Sequence, residues 1–137
     1  MKKTIIWGLV LLVFPLAAAA NDIPTCAVKA ANEFGVPEKV WQALVIDSAR
    51  NKNEYGPMGL GEHSITIIAE HIGSTTDAIR TEPCENYRGA AWWLMNPAGG
   101  REEDIWEAVN RYFYGNAHRV RYPVTERVKA IYAKLDK

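Results

Sequence analysis

A chain of 137 residues, 48% of them hydrophobic, has the length and composition of one globular domain with one core. Its 16 basic and 16 acidic side chains cancel, so it has no general electrostatic reason to seek nucleic acid. The metal pattern HExxH, the nucleophile motif GxSxG and phosphate-cradling glycine loops are all absent.

Residues 1–20 read as a signal peptide. Lys2 and Lys3 give a positive start, and Ile5 to Leu16 form an apolar run interrupted only by Gly8 and Pro15. Ala18-Ala19-Ala20 then offers small residues for cleavage ahead of Asn21. The alternative is an uncleaved anchor, but the run is short for a bilayer and nothing after it is long or apolar enough to span one. Cleavage leaves a domain at 21–137 with 14 basic and 16 acidic side chains, a balance of −2. The expected location is periplasmic or secreted, with no membrane attachment once the signal is removed.

Helix-period patterns then follow one another, and no strand pattern of comparable length competes. Pro24 to Phe34 forms a first helix stopped by Gly35. Pro37 suits a first helical position, where its missing N–H costs nothing, and opens a second helix through about Arg50. Ile65, Ile68, Ala69 and Ile72 make an i, i+3, i+4, i+7 stripe that ends at Gly73. Pro83 opens another helix, with Tyr87, Ala90, Ala91 and Leu94 on one side. Asn96-Pro97-Ala98-Gly99-Gly100 is a loop. Glu102, Glu103 and Asp104 suit the positive end of the next helix dipole, and Ile105, Val109 and Tyr112 give that helix its apolar stripe. Pro123 opens the last helix, with Val124, Val128, Ile131 and Leu135 toward the core. The expected fold is a compact all-α domain without repeats or linkers.

Cys26 and Cys84 survive signal cleavage, and in an oxidising compartment an even pair reads as one disulfide. Such a bridge stabilises the fold by about 4 kcal/mol on the chain-entropy model. Two isolated cysteines have no metal-ligand spacing, so neither metal nor cofactor is expected. Glu62-His63 and Glu70-His71 sit two helical turns apart and read as solvated faces. Ten of the eleven Trp and Tyr residues lie after the signal; flat aromatic faces build cores and also pack on sugar rings.

Asp47 stands out. It falls at i+7 from Val40 and i+3 from Leu44, on the apolar face of the second helix and near its C-terminus. Desolvation and the helix dipole both disfavour its charged form, and a carboxyl group kept neutral can act as a general acid. Two structural readings stand beside this one: a cap for the turn at Asn51-Lys52-Asn53, or an ion pair with Arg50.

Four segments, in order, resemble the lytic transglycosylases of the lysozyme-like fold, in the branch associated with secretion and pili. Phe34-Gly35-Val36-Pro37, then Val40-Trp41-Gln42-Ala43-Leu44 and Asp47-Ser48, is similar to "YGVPPxLLxAI" leading to the catalytic Glu. Ten residues on from Pro37 is Asp47. Arg50-Asn51-Lys52-Asn53-Glu54-Tyr55-Gly56-Pro57-Met58 resembles "RNxNGxxDLGPMQIN" with a short deletion. Thr81 to Asn86 with Ala90-Ala91-Trp92-Trp93-Leu94 resembles "DPCxNIxxAAWxL". Asp104 to Tyr112 resembles "GDxWxAIGRYHS", and Tyr122 precedes a helix containing Arg127-Val128.

The resemblance implies a lysozyme-like fold and cleavage of the β-1,4 bond between muramic acid and glucosamine in peptidoglycan, closing a 1,6-anhydro ring with one carboxyl group and no cofactor. It makes Asp47 the acid/base, Tyr112 the aromatic hydroxyl that helps hold it, Gly56 and Met58 the shapers of the sugar groove, and Cys26 and Cys84 structural. The implied partners are peptidoglycan glycan strands and an envelope-spanning secretion, conjugation or pilus machine. The departures cluster at the site. Asp47 replaces Glu, withdrawing the carboxyl by ~1.5 Å, and a misplacement near 1 Å costs about a hundredfold in rate. Gly59, or Glu62 in another register, stands in place of the branch's substrate-binding Gln, and Phe113-Tyr114 replaces His-Ser. An inactive relative that binds glycan or assists envelope assembly is the alternative.

Overall fold

The computed structural model describes residues 22–51, 55–96, 104–114 and 123–136. Among them are seven α-helices and no strand: α1 (Thr25–Phe34), α2 (Glu38–Ala49), α3 (Glu62–Ile72), α4 (Thr76–Thr81), α5 (Pro83–Met95), α6 (Ile105–Tyr114) and α7 (Pro123–Lys134). The all-α expectation holds for these residues, and none of their helices is long and apolar enough to cross a membrane. The signal-peptide reading of residues 1–20, Tyr122 and most of the 96–100 loop lie outside the described residues.

The helix boundaries follow local chemistry. Gly35 and Gly73 cap α1 and α3 in the left-handed conformation, and their N–H groups bond back to the carbonyls of Ala31 and Ala69. Pro83 and Pro123 are the first residues of α5 and α7, whereas Pro37 sits one position ahead of α2 and its carbonyl accepts from Trp41 N–H. Asp104 starts α6: its side chain accepts from Trp106 N–H at 2.9 Å and its carbonyl from Ala108 N–H. Helix α4 has no counterpart in the sequence pattern. That helix has six residues, too few for a periodic stripe, and begins at a Thr75 side chain that accepts from Ala78 N–H.

Helix α5 is the hub, packing on α1, α3, α4 and α6, while α2 lies against α1 and α7. Trp41, Leu44, Ile65, Ile68, Ile79, Leu94, Val109 and Val128 are fully buried in one core. Two covalent or polar ties fix α1 to its neighbours. Cys26 and Cys84 form the expected disulfide, joining α1 to the first turn of α5, and Trp41 Nε1–H donates to the Ala27 carbonyl at 2.8 Å. The α2–α7 pair runs antiparallel. Lys39, early in α2, pairs with Asp136 and lies over the Tyr132 ring, while Asp47, late in α2, meets Arg127 early in α7.

Candidate active site

The site begins with the last turn of α2. Val40 and Leu44 carry the apolar stripe into the core, and Asp47 follows on the same face with only 2% of its surface exposed. A carboxylate buried that deeply needs a partner, because removing charge from water is expensive. Arg127 supplies it. Its Nε–H donates to Asp47 Oδ1 at 2.7 Å and its Nη2–H to Oδ2 at 3.2 Å, the two-pronged geometry of guanidinium on carboxylate. The Arg127 side chain is itself 49% exposed, so the pair joins a dry carboxylate to a half-wet cation.

Neither structural reading from the sequence matches this arrangement in full. Arg50 touches Asp47 through its backbone, its N–H donating to the Asp47 carbonyl at 3.1 Å. Asn51 Nδ2–H donates to that same carbonyl at 2.9 Å. Lys52 and Asn53 lie outside the described residues; at Arg50 and Asn51 the Asp47 main chain is the acceptor, and the side chain is left for α7.

The loop from Tyr55 to Leu60 forms the opposite wall. One buried side chain, Asn86 in the first turns of α5, holds it in place. Asn86 Oδ1 accepts from Met58 N–H at 2.8 Å, and Nδ2 donates to the carbonyls of Tyr55 at 3.0 Å and Ile79 at 2.8 Å. Gly56 crosses directly above at φ +75°, and a Cβ there would come within 2.4 Å of the Asn86 amide. Only glycine meets both the left-handed backbone and the close approach. Gly56 and Pro57 then line an open cavity of about 340 Å³ with Ser48, Ala49 and Asn51 from the end of α2.

The residues singled out from sequence therefore divide. Asp47 and Gly56 belong to the two segments that border this cavity. The Met58 side chain turns away into the core, where it is buried, and only its main chain serves the loop. Tyr112 lies on α6 with its ring edge-on to Phe113. Its hydroxyl is buried without a hydrogen-bond partner among the described residues, so the group that holds Asp47 there is Arg127 and not Tyr112. Burial pushes the Tyr112 hydroxyl well above the usual phenol range.

The alternative register's Glu62 sits at the start of α3, exposed, with Arg80 forked onto both its oxygens at 3.0 and 2.6 Å. That guanidinium, helped by Tyr55, holds the Glu62 carboxyl below its ordinary value. Glu62, His63, Glu70 and His71 are all exposed, as their pattern suggested, and no cluster of metal ligands occurs among the described residues.

Sequence reasoning gave no role to Arg127 or to Asn86. Asn86 carried a signal, since it is the Asn of the segment that resembles "DPCxNI". Arg127 carried only its place in the last helix. Comparison of the chain with known protein families, characterised proteins and solved structures finds no match.

Proposed function

We propose that the chain is an exported, lysozyme-like domain that binds peptidoglycan with its acid position closed, serving an envelope-spanning secretion, conjugation or pilus machine rather than cutting the wall freely. The glycan specificity rests on the four-segment resemblance. The closed state rests on one observation, that Arg127 donates to both oxygens of a buried Asp47. A general acid must present a protonated oxygen to the leaving group within hydrogen-bond reach. With both oxygens accepting from a guanidinium and the side chain 2% exposed, Asp47 presents neither.

A second reading is favoured by the half-exposure of Arg127 and by the cavity that Ser48, the next residue after Asp47, helps to line. The reading requires the guanidinium to swing outward and the freed carboxyl to turn toward a sugar lodged against Ser48, Asn51 and Gly56. The carboxylic acid then gives its proton to the bridging oxygen as the bond from muramic C1 breaks. The resulting carboxylate takes the proton of the C6 hydroxyl, whose oxygen closes on C1 to give the 1,6-anhydro ring. In this reading the protein is a slow lytic transglycosylase.

Purified sacculi incubated with residues 21–137 separate the two. The closed-site reading expects the protein to pellet with sacculi while mass spectrometry finds no 1,6-anhydromuropeptides. Anhydro products that vanish in Asp47→Asn would establish the second reading. Failure to pellet, with no products, would remove both.

A further inference from the structure

Away from the Gly56 cavity, a second cavity of about 260 Å³ runs along α7. Three cationic side chains border it: Arg50 at the end of α2, and Arg127 and Lys134 on α7. Ala130, Ile131 and Leu135 make its apolar wall, and no acidic residue lines it among the described residues. Arg50 and Lys134 are exposed, and neither has an ion-pair partner among the described residues. Arg127 also engages the Asp47 carboxylate through two hydrogen bonds.

Helix chemistry explains part of the arrangement. Arg50 caps the C-terminus of α2 and Lys134 ends α7, positions where the dipole favours a cation. It does not require both to border one cavity with apolar residues between them. Nor do the charges converge on a point. Residues 127 and 134 stand two turns apart on α7, about 10 Å along its axis. A lone phosphate would be bound better by donors gathered around one centre. Cations spread along an apolar wall instead match an extended ligand with separated carboxylates and an aliphatic stretch between them.

We propose that this groove between α2 and α7 binds a short acidic peptide, its carboxylates on Arg50 with Arg127 at one end and on Lys134 at the other, and its aliphatic side chains on Ile131 and Leu135. The peptide stems of peptidoglycan belong to this chemical class, but the groove does not depend on the glycan reading. An extended chain covers about 10 Å in three residue steps, so two glutamates three positions apart fit the span.

Calorimetry with residues 21–137 and the capped peptide acetyl-Glu-Leu-Ala-Glu-amide tests the site without any sugar. The peptide is expected to bind, and its Gln-Leu-Ala-Gln counterpart to bind at least tenfold more weakly. Arg50→Gln and Lys134→Gln, both at exposed positions, should each weaken binding about fivefold, the scale of a partly exposed ion pair, with melting temperature lowered only slightly by the lost helix-dipole contact. Equal binding of the two peptides, indifference to both variants, or full displacement by an equal concentration of inorganic phosphate would overturn the proposal. Loss of sacculus pelleting beside intact peptide binding would count against the glycan reading alone.

Discussion

Two buried polar side chains hold this molecule together, and they do so in opposite ways. Asn86 is enclosed and neutral, and all its partners are backbone groups of the surrounding elements, Tyr55, Met58 and Ile79. Asp47 is equally buried, but it is charged and its side-chain partner is a half-exposed arginine from another helix. Every bond of the first node is internal, so it can change only if the fold opens. The second can change by rotation of one surface side chain. The contrast distinguishes a fastening from a latch, and the arginine of the latch borders the groove along α7.

Removing Asn86 should have the largest effect. Asn86→Ala strands one N–H and two carbonyls in the interior, and at about 1 kcal/mol or more apiece the fold should lose roughly 3 to 5 kcal/mol. Urea unfolding measures it; a loss below 1 kcal/mol would mean that water or a shifted loop replaces the amide. Gly56→Ala attacks the same node from above, through a Cβ at 2.4 Å and a positive φ. About 2 to 3 kcal/mol is expected from strain and crowding together.

The latch should respond differently to its two halves. Asp47→Asn leaves Arg127 half in water, so the cost should be about 2 kcal/mol, below that of a pair buried on both sides. Arg127→Gln strands the carboxylate itself and should cost more than Asp47→Asn. The pair of melting curves decides the point, because equal costs would contradict the asymmetry. The smallest effect belongs to the exposed Glu62–Arg80 pair. Arg80 holds the Glu62 carboxyl down, so its stabilisation is present above the ordinary carboxylate value of 4.5 and fades as pH falls through the lowered one. Glu62→Gln should therefore lower the melting temperature slightly at neutral pH and not at all in strong acid. A difference that persists at low pH would assign the effect to packing.

The long helices were legible because their punctuation is local: Gly35, Gly73, Pro83 and Pro123 fall where helix ends require them. The burial of Asp47 was legible for the same reason, as a phase on an apolar stripe. Its partner was not, since a contact across 80 residues has no periodicity to betray it. Asn86 was hidden differently. A buried amide looks like any polar helix residue until the three backbone groups it serves are brought around it. The opposite fates of Gly56 and Met58, two residues apart, were beyond reach too, because one loop can face a cavity with its backbone and the core with a side chain.

The span of the Asp47–Arg127 bond also sets an order of events in the life of the chain. Asp47 leaves the ribosome 80 residues before the arginine that compensates it. Until α7 arrives, α2 has no favourable way to bury its last turn against a partner. Any truncation that removes α7 would leave a helix whose apolar face ends in an uncompensated charge. A chain interrupted before Arg127 therefore either leaves the last turn of α2 in water or buries a carboxyl that must first take up a proton.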